Sequence, residues 1–208
     1  MSLAERKRQL VRDELTEAAL KLLAFQGFDK TTIDQITAAA GVSRRTFFRY
    51  FQSKEDVVIE FIGDLGHRLH TELAARPADE APATAVRNVL TAFTEGFREH
   101  TEKSLCLTRL TLRTDALLGR YLERQVRWRA DMTAELARRM GVDPGSDMRP
   151  ALIVATAFGA FDTALTAWVA GEAADDLKTI VNHAFDLLDG GALAVRGRSA
   201  PGGAAAGA

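Results

Sequence analysis

Apolar residues recur every three or four positions along almost the whole chain, and this spacing limits the fold more than any other feature. Val11, Leu15, Ala18 and Leu22 form one such series, which Gly27 ends. Because an α-helix has 3.6 residues per turn, this spacing places the apolar side chains on one helix face. The sequence shows no strict alternation typical of strands and no internal repeat. It therefore predicts an all-α fold.

Residues that start and stop helices divide this pattern into separate elements. Thr31 or Thr32, Ser43 and Ser53 are expected to cap the second, third and fourth helices. The predicted helices cover about residues 4–25, 33–40, 44–50, 54–75, 86–97, 105–113, 117–140, 150–171 and 175–189. The final residues, from Gly190 onward, are almost all Gly, Ala, Ser, Pro and Arg, so we expect a disordered tail.

The segment from Thr32 to Phe51 has the three features that a helix-turn-helix requires. Gly41 can adopt the left-handed conformation of the turn. The apolar residues spaced to hold the two helices together are Ile36, Ala40, Val42 and Phe47. The polar face left on the second helix consists of Arg44, Arg45, Thr46 and Arg49. Arginine binds guanine edges and threonine can contact a thymine methyl group, so this face predicts sequence-specific DNA binding.

Charge is distributed unevenly along the 208 residues, although the formal net charge is only -1. Residues 1–54 carry ten basic and six acidic side chains, which gives them a net charge of +4. The remaining residues carry 17 basic and 22 acidic side chains, a net charge of -5. A basic N-terminal segment on an acidic body favours a nucleic-acid partner for that segment.

The run from Gly41 to Asp56, GVSRRTFFRYFQSKED, resembles the signature of the tetracycline-repressor (TetR) family. In that family a Gly-Val-Ser turn leads through an aromatic-rich recognition helix to a Ser-Lys-Glu sequence at the next helix start. The resemblance is specific over about residues 8–60 and looser beyond. It implies an all-helical homodimer whose first three helices bind DNA and whose remaining helices sense a ligand and dimerise. Residues 1–53 are then the DNA-binding domain, residues 54–190 the ligand-binding and dimerisation domain, and residues 191–208 the disordered tail.

Matched position by position, the resemblance implies phosphate contacts for Thr32, Tyr50 and Lys54. It implies base contacts for the polar face of the second motif helix. Phe48 stands where the family commonly has a tyrosine, so a hydroxyl contact to the DNA backbone is missing there. Thr37 replaces the usual alanine of the first motif helix. The predicted DNA-binding residues are Thr32, Ser43, Arg44, Arg45, Thr46, Phe48, Arg49, Tyr50 and Lys54.

The segment Pro150–Gly171 is long enough to span a membrane, and its single charge is Asp162. A mid-span Asp opposes membrane insertion, and the residues of the segment sort by size. The small face is Ala157, Ala160, Ala164, Ala167 and Gly171, and the neighbouring large face is Val154, Phe158, Phe161, Leu165 and Trp168. We interpret the segment as a buried helix of a soluble protein with no membrane partner. Its small face is expected to admit another helix in a homodimer formed through the last two helices, about residues 150–189.

Aromatic residues of the C-terminal half are candidates for an apolar ligand cavity. The predicted lining residues are Phe93, Phe97, His100, Leu110, Trp128, Phe158 and Phe161, with Asp162 or Arg113 as a polar anchor. The same residues have the spacing of an ordinary helical core. A regulator without an effector therefore stays open as an alternative.

Other classes of protein lack support in the sequence. No paired carboxylates, nucleophile–base set or phosphate-binding loop indicates an enzyme. His67 and His70, with Asp64 one turn earlier, are interpreted as solvated positions, so no metal and no cofactor are expected. Cys106 is the only cysteine and is interpreted as a small buried apolar residue. The first residues lack the apolar core of a signal peptide, so a cytoplasmic location is expected, with the bacterial nucleoid as the site of action.

Together these features predict a transcriptional regulator that binds a palindromic double-stranded DNA operator. Repression is the family default, with release by a small, largely apolar effector. The alternative is an architectural protein that binds DNA without sequence preference, because phosphate contacts alone carry no sequence information.

Overall fold

The computed structural model describes residues 2–190, except for the side chains of residues 64 and 65, and over that range it contains ten α-helices and no strand. The helices are α1 (Leu3–Gln26), α2 (Ile33–Ala39), α3 (Arg44–Tyr50), α4 (Lys54–Ala75), α5 (Pro82–Phe93), α6 (Glu95–Glu99), α7 (Thr101–Arg113), α8 (Asp115–Met140), α9 (Arg149–Ala170) and α10 (Leu177–Asp189). The predicted all-α fold is confirmed. The predicted tail at residues 191–208 lies outside the described residues.

Side-chain caps start the three helices that follow α1. The Thr32 hydroxyl accepts from the Gln35 backbone amide at 3.2 Å. Ser43 caps α3 in the same way, with its hydroxyl 3.1 Å from the amide nitrogen of Thr46. Ser53 caps α4. These bonds satisfy amide groups that have no partner within the helix, and the predicted caps are confirmed.

Helices α1 to α3 and the first turn of α4 enclose one hydrophobic core, here called the N-terminal cluster. Its buried members are Leu15, Ala19, Ile36, Phe47, Phe51 and Val57. Gly41 has φ +64° in the turn between α2 and α3, a conformation that side chains rarely adopt. The turn and the cluster together fix the angle between the two helices of the motif.

Two further cores hold the rest of the molecule. The larger one lies among α4, α5, α8, α9 and α10, and its fully buried members include Leu73, Val86, Leu90, Leu136, Val154 and Val181. The smaller one, here called the junction cluster, consists of Leu20, Leu23, Val58, Ile59, Leu107 and Leu117. Because these residues come from α1, α4, α7 and α8, the junction cluster joins α1 to the helices of the body.

The segment predicted as one helix over Val86–Phe97 is two helices, α5 and α6, and that prediction is wrong. The chain breaks at Thr94, whose side chain is buried and whose hydroxyl donates to the Thr91 carbonyl at 2.6 Å. A threonine bonded to the backbone in this way competes with helix continuation, and Gly96 lowers helix propensity further. The next helix, α7, begins at Thr101, four residues before the predicted start.

The small face of α9 does not have the role predicted for it. Ala157, Ala160 and Ala164 are buried within their own chain, among the members of the larger core. Of the small face, Ala167 and Gly171 are exposed, and Ala167 belongs to an exposed face made of Leu152, Ala155, Thr156, Gly159, Thr163, Thr166, Ala167 and Ala170. The spacing of residues assigns them to the faces of a helix, but it does not show which face packs against the rest of the same chain. Helix α9 is long and apolar enough to cross a membrane by composition, yet half of its apolar stretch is buried in the protein.

Candidate DNA interface and internal cavity

Helix α3 turns one face into the protein and the opposite face outward. Phe47 is fully buried in the N-terminal cluster, whereas Arg44, Arg45 and Arg49 are exposed. Thr46 is half-buried beside them. The polar face that the sequence predicted is therefore accessible to a partner as large as DNA.

Neighbours within the motif hold two of these arginines. Arg44 Nη1 donates to both carboxylate oxygens of Asp34 at 3.0 and 3.1 Å. Arg49 Nη2 donates to the Tyr50 hydroxyl at 3.3 Å, and its guanidinium carbon lies 5.1 Å from the Tyr50 ring centroid. Exposed ion pairs contribute at most about 1 kcal/mol. DNA phosphates or base edges can therefore replace these partners at little cost.

The remaining predicted DNA contacts are distributed around this face. Thr32 and Ser43 are exposed at the starts of α2 and α3. Phe48 is 48% exposed and meets the edge of the Phe47 ring at a centroid distance of 5.5 Å. Tyr50 is half-buried: its ring packs against the N-terminal cluster while its hydroxyl meets Arg49. Phe48 and Tyr50 lie directly beside the arginines, against Arg44 and Arg49 respectively.

Lys54, for which the resemblance implied a phosphate contact, is bonded to backbone carbonyls of its own chain. Its Nζ donates to the backbone carbonyls of Phe28 and Thr31 and lies 4.1 Å from the Phe28 ring centroid. A partly buried ammonium group needs such partners. Lys54 therefore holds the loop between α1 and α2 against the start of α4.

A cavity of about 350 Å³ lies in the body of the protein, between α4, α5, α7, α8 and α9. Its volume is at the lower end of the range for small-molecule sites. Six of the residues predicted from sequence line it: Phe93, Phe97, His100, Trp128, Phe158 and Phe161. Its wall is mostly apolar and aromatic.

Three predicted lining residues do not line the cavity. Leu110 packs against the junction cluster instead. Arg113 is exposed at the end of α7. Asp162 lies one layer behind the wall, where it accepts from Gln125 Nε2 at 2.6 Å and from Arg129 Nη2 at 2.9 Å. A helical pattern gives the face of a residue but not its depth, which explains these errors.

The residues behind and within this wall form a polar network. Gln125 is 3% exposed, and its amide nitrogen also donates to the Tyr121 hydroxyl at 2.6 Å. Its amide oxygen accepts from Arg129 Nη2 at 3.1 Å. Burial raises the pKa of the Tyr121 phenol, and the Asp162 carboxylate raises it further, so the phenol stays protonated. Burial also raises the pKa of Asp162, against the opposing effect of the hydrogen bonds from Gln125 and Arg129.

Sequence reasoning missed the part of the lining that belongs to α1 and α4. Leu20 of α1 and Val58, Phe61 and Ile62 of α4 all border the cavity. Their spacing is that of ordinary core residues, so the sequence holds no signal for them. Tyr121 and Gln125 were also missed, although they share a face of α8 with Trp128 at helical spacing.

A glycine in α4 makes room for one wall of the cavity. Trp128 packs directly on the backbone at Gly66, where an added Cβ atom would lie 1.7 Å from the indole Nε1. No real Cβ atom approaches a neighbour so closely. Position 66 therefore requires glycine as long as Trp128 keeps its place.

Metal ligation has no support in the described side chains, since they contain no group of three or more His, Cys, Asp or Glu residues suited to hold an ion.

Comparison with known proteins matches both parts of the chain. Residues 15–61 match the family model of bacterial regulatory proteins, tetR family, and residues 80–193 match the model of the MftR C-terminal domain. The HTH-type transcriptional regulator TcmR of Streptomyces glaucescens is 38% identical over 159 residues, which cover 74% of this chain and 70% of that protein. The putative mycofactocin biosynthesis transcriptional regulator MftR of Mycobacterium tuberculosis is 27% identical over 89% of this chain and 93% of its own length.

Solved structures agree with these sequence matches. FadR of Thermus thermophilus, described as a TetR-family transcriptional repressor in complex with lauroyl-CoA, superposes with a TM-score of 0.61 at 26% identity. The alignment covers 92% of this chain and all of that one. FadR of Bacillus halodurans, a fatty acid degradation regulator, gives a TM-score of 0.66 at 24% identity over 87% of this chain and 95% of that one.

Proposed function

This chain belongs to the TetR family of bacterial regulatory proteins and is a DNA-binding transcriptional regulator; we propose that it is a repressor that leaves its operator when a small molecule enters the cavity. The observation that carries the proposal is the position of α4. Its first turn packs into the N-terminal cluster through Val57, and its next turns line the cavity through Val58, Phe61 and Ile62. One helix thus touches both proposed sites.

Ion pairs reinforce this connection. Asp56 of α4 accepts from Arg120 of α8 and from the Gln52 backbone amide. Glu60 of α4 pairs with Arg12 of α1. A displacement of α4 by a ligand would therefore also move the helices that carry the DNA-binding face. Ligands shift such an equilibrium by binding one arrangement better than the other.

On the DNA side, α3 enters the major groove. Arg44, Arg45, Thr46 and Arg49 contact base edges, while Thr32, Ser43 and Tyr50 contact the backbone and Phe48 packs beside it. Two recognition helices of a dimer lie about 34–36 Å apart on successive grooves, so the operator is an inverted repeat.

Selection from random duplex DNA tests this part of the proposal. The purified chain is incubated with the duplex pool at ~0.15 M salt, where phosphate contacts alone bind weakly, and retained molecules are sequenced. We expect enrichment of an inverted repeat whose half-sites are centred about one helical turn apart. Binding without any enriched sequence would support the architectural alternative and contradict the proposal.

Replacing Arg45 by alanine should weaken binding to the selected duplex by about 1–3 kcal/mol and relax the base preference at one position in each half-site. The side chain is exposed on α3, so the fold is not expected to change. Arg127→Ala removes an equally exposed arginine from α8 and serves as the matched control. Fluorescence anisotropy with the selected duplex and its single-base variants measures both effects. An unchanged base preference would show that Arg45 does not contact a base.

The dimer is proposed to form through the exposed face of α9, together with α10. This face consists of small residues and Leu152, which is 61% exposed. Two threonines on it bond to their own helix: the hydroxyl of Thr163 donates to the Gly159 carbonyl at 2.8 Å and that of Thr166 to the Asp162 carbonyl at 2.9 Å. Both hydroxyl donors are thereby satisfied within the helix, which leaves a face suited to close packing against its symmetry mate.

Gly159→Arg is expected to separate the dimer. An added Cβ atom at Gly159 meets nothing within 4 Å in its own chain, so the monomer should fold. A charge buried in the interface without a partner costs about 3–5 kcal/mol, which raises the dimer dissociation constant at least ~100-fold. Gly119→Arg, at an equally open site on α8, is the control. Sedimentation equilibrium measures the dimer dissociation constants of both variants. Equal constants for Gly159→Arg and Gly119→Arg would contradict the α9 interface.

The proposed effector has an apolar body and a polar or anionic outer end. Arg68, Glu99 and His100 are exposed and Lys103 is half-buried, so these lining residues mark the mouth of the cavity, where the charges of Arg68 and Lys103 exceed that of Glu99. The remaining wall is largely aromatic and aliphatic. The lauroyl-CoA bound by the T. thermophilus relative is a molecule of this general kind.

A further inference from the structure

One wall of the cavity carries polar side chains, which the binding of an apolar ligand does not require. Tyr121 and Gln125 both line the cavity from α8, whereas the charged lining residues Arg68, Glu99 and Lys103 belong to α4, α6 and α7. The other buried polar residue of the wall, Thr111, donates to the Leu107 carbonyl at 2.9 Å and is thereby satisfied within its helix. An apolar ligand would bind equally well to a wall of Phe and Leu at positions 121 and 125.

The network behind this wall fixes the orientation of Gln125. Asp162 accepts from its amide nitrogen and Arg129 donates to its amide oxygen, so the side-chain amide has one favoured orientation. In that orientation the Gln125 nitrogen donates to the Tyr121 oxygen at 2.6 Å. The phenol oxygen therefore receives a hydrogen bond from a side chain that is itself held in place.

The hydrogen of the Tyr121 hydroxyl remains adjustable. A phenol hydrogen can turn about the C–O bond, either toward Asp162 or toward an oxygen atom of a ligand. The phenol stays protonated because of its burial and the nearby carboxylate. A ligand oxygen at this wall therefore meets a donor supported by Gln125, whereas an anionic group would lie near the Asp162 carboxylate.

We infer that the effector carries a neutral oxygen group, a hydroxyl or a carbonyl, on the inner end of its apolar body, and that the Tyr121 hydroxyl recognises it. This inference rests on the proposed function, since it concerns the ligand of the same cavity. It distinguishes the effector from a molecule whose inner end is a plain hydrocarbon chain. Tyr121 is the specificity-determining residue, and Gln125 and Asp162 act through it as positioning residues.

A pair of nearly isosteric probes tests the inference. 2-Naphthol and 2-methylnaphthalene have the same bicyclic body and differ by a hydroxyl in place of a methyl group. Their dissociation constants are measured by displacement of 1-anilinonaphthalene-8-sulfonate from the wild-type protein and from Tyr121→Phe. This variant removes one oxygen and leaves Gln125 bonded to Asp162, so the fold should persist. Thr71→Val removes a hydroxyl from an exposed position of α4 outside the lining and is the control.

We expect Tyr121→Phe to shift the ratio of the two dissociation constants about 5- to 10-fold toward 2-methylnaphthalene, as loss of one neutral hydrogen bond implies. Thr71→Val should leave the ratio at its wild-type value. A ratio unchanged by Tyr121→Phe, with both probes bound, would overturn the inference and leave the proposed regulator intact. Failure of both probes to displace the dye would overturn the inference together with the role of the cavity.

Discussion

Phe47→Ala is expected to abolish operator binding because it unfolds the helix-turn-helix. The Phe47 ring is fully buried in the N-terminal cluster, where it packs against Phe51 at a centroid distance of 5.7 Å. Truncation of a buried phenylalanine to alanine costs about 3–5 kcal/mol. Small domains have a total stability of about 5–15 kcal/mol, and the N-terminal cluster has only six buried members. The loss is therefore large enough to release α3 from its position.

The adjacent phenylalanine provides the control for this prediction. Phe48 lies on the same helix but is 48% exposed, so Phe48→Ala should change the free energy of unfolding by no more than about 0.5 kcal/mol. Urea unfolding followed by circular dichroism measures the stability of both variants. Phe47→Ala should still bind 1-anilinonaphthalene-8-sulfonate in the cavity, since most of the lining residues lie in the body. Equal stability of the two variants would show that the N-terminal cluster does not depend on Phe47.

Gly66→Ala is expected to disrupt the cavity. The new Cβ atom would lie 1.7 Å from the indole Nε1 of Trp128, so the indole must leave the α4 backbone. Trp128 lines the cavity and its ring meets that of Tyr121 edge-on at a centroid distance of 6.1 Å. Overpacking of this kind costs about 1–3 kcal/mol. This cost falls on the ligand-competent arrangement, so the affinity for 1-anilinonaphthalene-8-sulfonate should drop by about 5-fold or more.

Gly63→Ala is the matched control, one turn earlier on the same helix. There the new Cβ atom meets the end of the Arg124 side chain at 3.0 Å, and a flexible guanidinium can move aside. Replacing a helical glycine by alanine gains up to about 1 kcal/mol of helix propensity, so Gly63→Ala should be as stable as the wild type or more so. Thermal unfolding and dye titration compare the two variants. If the two variants had equal stability and equal affinity for the dye, the position of the Trp128 indole would not depend on the residue at position 66.

The sequence predicted the DNA-binding part well because local rules decide its structure. Caps at Thr32, Ser43 and Ser53 depend on residues three positions apart, and Gly41 meets a requirement of the backbone itself. The division of α3 into a buried Phe47 and exposed arginines follows from helical periodicity alone. The bonds of Lys54 could not be predicted in this way, because its carbonyl partners lie 23 and 26 residues away in the loop after α1.

The cavity could be predicted only in part, since it depends on which helix faces meet in space. The aromatic residues of α5 and α9 identified it, but Leu20 of α1 is indistinguishable in sequence from a core residue. Asp162 was predicted as a direct ligand anchor and instead supports Gln125 from behind. The same limitation applies to α9, where most members of both predicted faces are buried in the chain and the small face was taken for the interface.

Occupation of the cavity and operator binding are proposed to oppose each other through α4. Linkage requires the effect to be reciprocal, so the affinity of a cavity ligand must fall when the operator is bound. We would titrate 2-naphthol into the free protein and into its complex with the selected duplex. We expect the dissociation constant of 2-naphthol to be at least about 5-fold higher in the operator complex than in the free protein, because 5-fold is the lower end of typical coupling between sites. Equal dissociation constants would contradict it and would make this chain an operator-binding protein that its cavity does not control.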